Sequence, residues 1–204
     1  MNHSTDPDAP REPVHDEKCH ADHAQHSDAI PSPPAHAIQK LPYTRSCYVC
    51  GESNPLGLKL RFETDGEVAI CRFVPVPEHC GFKNTIHGGI TATVLDEVMV
   101  WAVGVRVRRF VYCAEMTVRY ASPGRPGALI VGTGRLMTNR RNKLFETTGE
   151  LRTEEGALIA SATGKYLPVP EAVSEEVLKD FTGDPVVLDS FVRSFRSDRA
   201  VPKS

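Results

Sequence analysis

Hydrophobic and polar positions change period twice along the chain. Residues 56–64 alternate, with Leu58, Leu60 and Phe62 set against Lys59, Arg61 and Glu63. A period of two marks a half-buried strand. Asp65-Gly66 is a hairpin signal. Residues 68–74 make the partner strand, with Val68, Ile70 and Arg72 on one face and Ala69, Cys71 and Phe73 on the other. Pro75 and Pro77 end it, and residues 78–86 read as a connecting loop. From residue 86 to 103 alternation gives way to an apolar helical run. Ile90, Val94, Val98 and Trp101 share one face, and Leu95, Met99 and Ala102 another. A helix apolar on nearly every side is buried, and this one is too short and too acidic to span a membrane. Alternation then returns over 112–120, 128–138, 143–153 and 157–167. Ser122-Pro123-Gly124, Asn139 to Asn142, and Glu154-Glu155-Gly156 separate these segments. Short connections imply antiparallel neighbours. Two strands, a buried helix and four strands predict an α+β fold: a curved antiparallel sheet of about five to six strands around one long central helix.

The central helix carries the candidate chemistry. It opens on His87-Gly88-Gly89, and its apolar body is interrupted by Asp96-Glu97. The glycines leave backbone N–H groups uncovered at a helix start, where unpaired donors and the helix dipole suit a developing negative charge. A carboxylate inside a buried helix is costly unless it has a task or a partner. Adjacent helical residues point ~100° apart, so only one of the two acids aims at a given site.

The words H-G-G-I-T-A-T-V-L-D resemble the central-helix motif of hotdog-fold acyl-CoA thioesterases, particularly the phenylacetate-pathway (PaaI-like) group and its mammalian relatives. The resemblance covers roughly residues 47 to 168. It implies a hotdog fold and thioester hydrolysis, with Asp96 as base or nucleophile, Gly88, with Gly89, as oxyanion donor, and His87 in an orienting role. Two positions depart from the pattern. Gly81 stands where some relatives carry Asn, and Cys113 where some carry Ser or Thr. Asn84 and Thr117 are the candidates to substitute in placing water. A thiol is a weaker donor than a hydroxyl, and Cys113 reads as structural. Arg140, Arg141 and Lys143 are candidate contacts for the phosphates of coenzyme A, which basic side chains attract.

Asp96 follows His87 by nine residues, ~13 Å of helical rise. One helix cannot bring both ends to one carbonyl, but two helices from two subunits can. A homodimer or homotetramer with shared sites is therefore expected. Hydrolysis of this kind calls for no cofactor and no metal. The alternatives are a non-catalytic acyl-CoA-binding or regulatory hotdog protein, and a hotdog hydratase or dehydratase.

Composition bounds the rest. A formal net charge of −2 over 204 residues gives no electrostatic ground for nucleic acid or an anionic membrane. Six cysteines without a secretory signal read as reduced thiols in a cytoplasmic protein. Residues 1–42, rich in His, Asp and Pro, are expected to be a disordered tail. Residues 43–168 are expected to be the thioesterase domain and 169–204 a helical extension, with an apolar face formed by Leu188, Phe191, Val192 and Phe195. Cys47-Tyr48-Val49-Cys50 is half of a tetrahedral zinc site, which His79, Cys80 or the tail would have to complete. A redox pair lacks the surrounding βαβ pattern. The segment C-Y-V-C-G-E-S-N-P-L-G-L is also similar to the stretch before the first strand in some PaaI-like thioesterases, and reads as structural.

Overall fold

The computed structural model describes residues 37–197. The expected tail lies almost entirely outside them. Ahead of residue 43, Gln39–Lys40 (β1) pairs with the hairpin strand Phe62–Thr64 (β3). Tyr43–Thr44 forms β2, and Val68–Phe73 forms β4. Cys80–Phe82 (β5) and Thr85–Ile86 (β6) make a small hairpin before the helix α1, Gly88–Val107. The four long strands follow as Val111–Tyr120 (β7), Ile130–Arg140 (β8), Leu144–Thr153 (β9) and Leu158–Pro168 (β10). All pairings in the main sheet are antiparallel, in the order β1-β3-β4-β8-β9-β10-β7, seven strands among the described residues.

Helix α1 lies across the inner face of this sheet. Val94, Leu95, Val98, Met99, Ala102 and Val103 are all wholly buried, as expected of a helix apolar on every side. The approach is close because the sheet offers glycine beneath it. Gly134 on β8 pairs directly with Gly149 on β9. A Cβ at Gly134 would lie 2.1 Å from the Val98 carbonyl oxygen, and one at Gly149 would lie 3.0 Å from the Met99 side chain. The helix backbone therefore rests on the sheet backbone, and neighbouring Phe145, Ile130 and Leu151 fill the flanks. Arg108 closes the helix in a left-handed conformation with φ 50°, its N–H bonded to the Gly104 carbonyl.

Two expectations fail locally. The strand expected over 56–64 is reduced to Phe62–Thr64. Lys59 adopts φ 57°, which breaks an extended run. Its ammonium donates to the carbonyls of Gly51, Glu52 and Asn54. Leu58 and Leu60 give their N–H groups to Tyr48 and Val49 instead of to a sheet neighbour. The loop expected over 78–86 contains the β5–β6 hairpin, turned by Asn84 at φ 58°.

The C-terminal extension docks on the domain itself. Helix α2, Glu171–Asp180, leads to Phe181–Thr182 (β11), which pairs with β2. Helix α3, Pro185–Ser197, starts where Asp184 accepts the N–H groups of Val186 and Val187. Its apolar face sets Phe191 and Phe195 against Phe110, with ring centroids 6.4 and 4.5 Å away. Phe191 also meets Trp101 of α1 at 5.8 Å.

Gly134→Ala should force the helix off the sheet and lower stability by about 2–4 kcal/mol, the upper range for overpacking a tight core. Urea unfolding measures this, and an unchanged midpoint would contradict the close backbone contact.

Candidate functional site

His87 sits just before α1 as its N-cap, in an extended conformation. Its Nδ1 accepts the Gly89 N–H at 2.9 Å, while its carbonyl accepts from Ile90 and Thr91. The Gly88 N–H is left with no acceptor among the described residues. The donor expected at Gly88 is thus available, whereas the one at Gly89 is occupied by the imidazole. Gly81 explains why no asparagine stands there: a Cβ would come within 2.8 Å of the His87 ring. Tyr120, at the end of β7, donates its hydroxyl proton to the Gly88 carbonyl at 2.9 Å.

Asp96 lies two turns further along the helix, half-buried, and faces β10 and β7. Its Oδ1 accepts the Tyr166 hydroxyl at 2.7 Å. The Tyr166 ring is wholly buried. Space for it comes from Gly164 on the same strand, where a Cβ would sit 2.5 Å from the ring. Burial first, and then the Asp96 charge, push the Tyr166 hydroxyl well above the ordinary range for a phenol. It remains a proton donor. Cys113 completes the group, its thiol raised by burial and then by Asp96.

The partnership with Tyr166 had no signal in the sequence. It depends on the register between β10 and β7. Lys165 faces Glu115 and Tyr166 faces Cys113, so Ala114 is passed over as a bulge. A bulge re-aims the side chains beyond it. It puts Cys113 on the face of Tyr166, and Thr117 on the exposed face with Glu115, opposite Thr163. Thr117 is therefore not brought to Asp96. Asn84 is an exposed turn residue. Arg140, Arg141 and Lys143 are exposed in the β8–β9 turn, where Arg140 pairs with Glu146 at 2.7 Å and Arg141 takes φ 55°.

Glu97 turns the other way. It borders a cavity of about 450 Å³ between α1, the 44–50 segment and the C-terminal extension. That opening gives Glu97 some exposure, while protein encloses its carboxyl. Burial first, then the charges of Cys47 and Asp96, push this carboxyl up to about 8. The sulfurs of Cys47 and Cys50 and a Glu97 carboxylate oxygen lie within 4.8 Å of one another. The cysteine pair thus meets an acid on α1, and not His79 or Cys80. No helix of the described residues is long and apolar enough to cross a membrane.

Comparison with known proteins agrees with this architecture. Residues 83–160, from the β5–β6 hairpin into β10, match the family model of the thioesterase superfamily. A Caenorhabditis elegans protein, F42H10.6, provisionally named as an esterase, is 31% identical over 112 residues, 52% of this chain and 65% of that protein. Human acyl-coenzyme A thioesterase 13 is 29% identical over 99 residues, 45% of this chain and 66% of that protein. The chain thus spans about two thirds of the length of the curated relatives it matches. Among solved structures, a thioesterase superfamily protein, RHA08564, has a TM-score of 0.56 at 25% identity, covering 61% of each chain. Zebrafish thioesterase superfamily member 2 has a TM-score of 0.53 at 21% identity, covering 59% of this chain and 90% of its own. The PaaI protein of the Escherichia coli phenylacetic acid degradation operon has a TM-score of 0.51 at 15% identity, covering 55% and 81%. One long helix packed on an antiparallel sheet is the hotdog fold of these solved thioesterases, and residues 83–160 across its centre are similar to the thioesterase superfamily.

Proposed function

We propose that the protein is an acyl-CoA thioesterase whose active unit is at least a dimer, each site built from two chains. The observation that carries this reading is the helix α1 itself. Within the stretch that matches the superfamily, it presents an unpartnered N–H at Gly88 and a positioned carboxylate at Asp96. Eight residues separate them, ~12 Å at helical rise. The acyl-CoA class is supported by the name of the human relative.

Strand β7 offers a surface for pairing two copies. It is an edge strand of the main sheet, ten residues long, with Tyr112 and Tyr120 exposed near its ends. A long exposed edge is usually covered. Tyr120 adjoins Gly88, and Cys113, near the other end, adjoins Asp96. Two copies paired antiparallel along β7 about a two-fold axis bring the Gly88 end of one beside the Asp96 end of the other.

In such a site the Asp96 carboxylate takes a proton from water, or attacks the thioester carbonyl itself. The Gly88 N–H of the second copy donates to the oxygen that becomes negative. Collapse of the tetrahedral intermediate expels coenzyme A as its thiolate, and on the nucleophilic route water then hydrolyses the acyl–Asp96 anhydride to free acid and carboxylate. Tyr166 positions Asp96 by holding Oδ1. Arg140, Arg141 and Lys143 are proposed to face the anionic phosphates of coenzyme A.

A panel of acyl-CoAs, read by free thiol release, tests the activity. Asp96→Asn should fold normally and lower kcat by ~10² or more, as for loss of a general base. Full turnover would remove Asp96 from the mechanism. Binding of acyl-CoA without turnover in the wild type would favour a non-catalytic carrier. Tyr166→Phe should lower kcat by about tenfold, the scale of one hydrogen bond to a charged group, with KM nearly unchanged. An unaltered kcat would make Tyr166 a packing residue only.

The shared site is tested by mixing two inactive variants. A Cβ at Gly88 meets the Tyr120 hydroxyl oxygen at 3.4 Å, an ordinary contact, so Gly88→Val is expected to fold. Refolding it together with Asp96→Asn should restore about a quarter of wild-type activity, since half the dimers are mixed and half of their sites intact. Verified heterodimers without recovered activity would place each site within one chain.

A further inference from the structure

We propose that Cys47, Cys50 and Glu97 form a binding site for one thiophilic divalent cation of the zinc type, on the side of α1 away from Asp96. The hydrolytic reading uses none of these residues.

The segment Cys47-Tyr48-Val49-Cys50-Gly51 is folded as a tight knuckle. Gly51 donates its N–H to the Cys47 carbonyl at 2.9 Å. The Val49 N–H points at the Cys47 sulfur, 3.2 Å away, and an amide aimed at sulfur favours the thiolate, the form that binds metal. Only glycine fits at 51, since a Cβ would lie 2.2 Å from the Cys47 carbonyl oxygen. Thr44 accepts the Cys47 N–H at 3.2 Å and lies 3.5 Å from the Cys50 sulfur. The knuckle is fixed from behind by Leu58 and Leu60, bonded to Tyr48 and Val49, and by the Lys59 ammonium on three of its neighbouring carbonyls. It is therefore preorganised without a metal.

Glu97 reaches the two sulfurs from the helix, and the three donor atoms lie within 4.8 Å of one another. Tetrahedral zinc, with bonds of about 2.3 Å to sulfur and 2.0–2.2 Å to oxygen, sets its ligand atoms roughly 3.5 Å apart. A modest rotamer adjustment closes that gap. The electrostatics ask for a cation. The Glu97 carboxyl is enclosed and joins no ion pair among the described residues. The indole N–H of Trp101, which lines the same cavity, is buried and makes no hydrogen bond among the described residues. Two thiols and a carboxyl that converge with no ion-pair partner among the described residues carry a large desolvation cost as anions. A divalent ion offsets it.

Thiolate ligands select zinc and similar soft ions over magnesium or calcium. Binding displaces the thiol protons, and the carboxyl proton where present, to solvent. It requires no oxidant. Three protein ligands leave a fourth position, and Cys47, Cys50 and Glu97 all line the same cavity as Trp101, Phe110, Phe181 and Phe195. Water or a small exogenous ligand fills it. The ion would tie the 44–51 segment to α1.

The test uses the full chain, purified under reductant, stripped with chelator and titrated with Co²⁺. Wild type should take up one ion with the thiolate-to-cobalt charge-transfer absorption. Zn²⁺ should displace it and raise the thermal midpoint. Cys47→Ser, half-exposed and therefore mild, should lose the band with its far-ultraviolet circular dichroism intact. Glu97→Gln should weaken Co²⁺ binding by about tenfold or more. A reduced wild type with no charge-transfer band overturns the proposal. So does a band that persists in Cys47→Ser, which would belong to other thiols such as Cys19. Unchanged affinity in Glu97→Gln overturns the three-ligand site.

Discussion

The contact of α1 with the sheet at Gly134 is the constraint on which the rest depends. Where the Val98 carbonyl meets the sheet backbone no side chain fits, so helix and sheet are set at a fixed distance. That distance fixes which helical residues face which strands. With Val94, Leu95, Val98 and Met99 committed to the core, Asp96 and Glu97 are left to leave the helix on its two flanks. One meets β10 and β7, the other the cysteine knuckle. The pair of acids that interrupts the apolar helix is thus one consequence of the packing, with two environments.

Those environments treat the carboxyls differently. Asp96 remains partly open and has a neutral donor in Tyr166, which holds it without cancelling its charge. Glu97 borders the cavity, with burial as the main influence on its carboxyl. Two adjacent residues therefore differ in chemistry because the helix turns ~100° between them, not because one is Asp and the other Glu.

Much of this was legible in the sequence, and the boundary is physical. The helix and the four long strands carry strong periodicity, and each appears within two residues of its expected start. The strand at 56–64 failed because Lys59 takes a left-handed conformation, held by carbonyls of a preceding loop. No alternation of apolar residues announces that. Asp96 and His87-Gly88-Gly89 stood out as a carboxylate and a glycine-rich turn in an apolar run. Tyr166 did not, because its tie to Asp96 spans 70 residues and depends on a bulge at Ala114. The same bulge sent Thr117 to the exposed face, against the expectation that it helps place water. The meeting of the cysteine pair with Glu97 is likewise a matter of tertiary position. Spacing alone pointed to His79, Cys80 or the tail.

The central claim is that one helix supplies opposite halves of two sites in a paired assembly. A crystal structure with a non-hydrolysable acyl-CoA analogue tests it most directly. The account predicts the analogue's carbonyl oxygen about 2.7–3.1 Å from the Gly88 nitrogen of one copy, with the Asp96 carboxylate of the other copy beside the carbonyl carbon. An analogue bound with both groups from a single chain, or with Asp96 remote from the carbonyl, would contradict it.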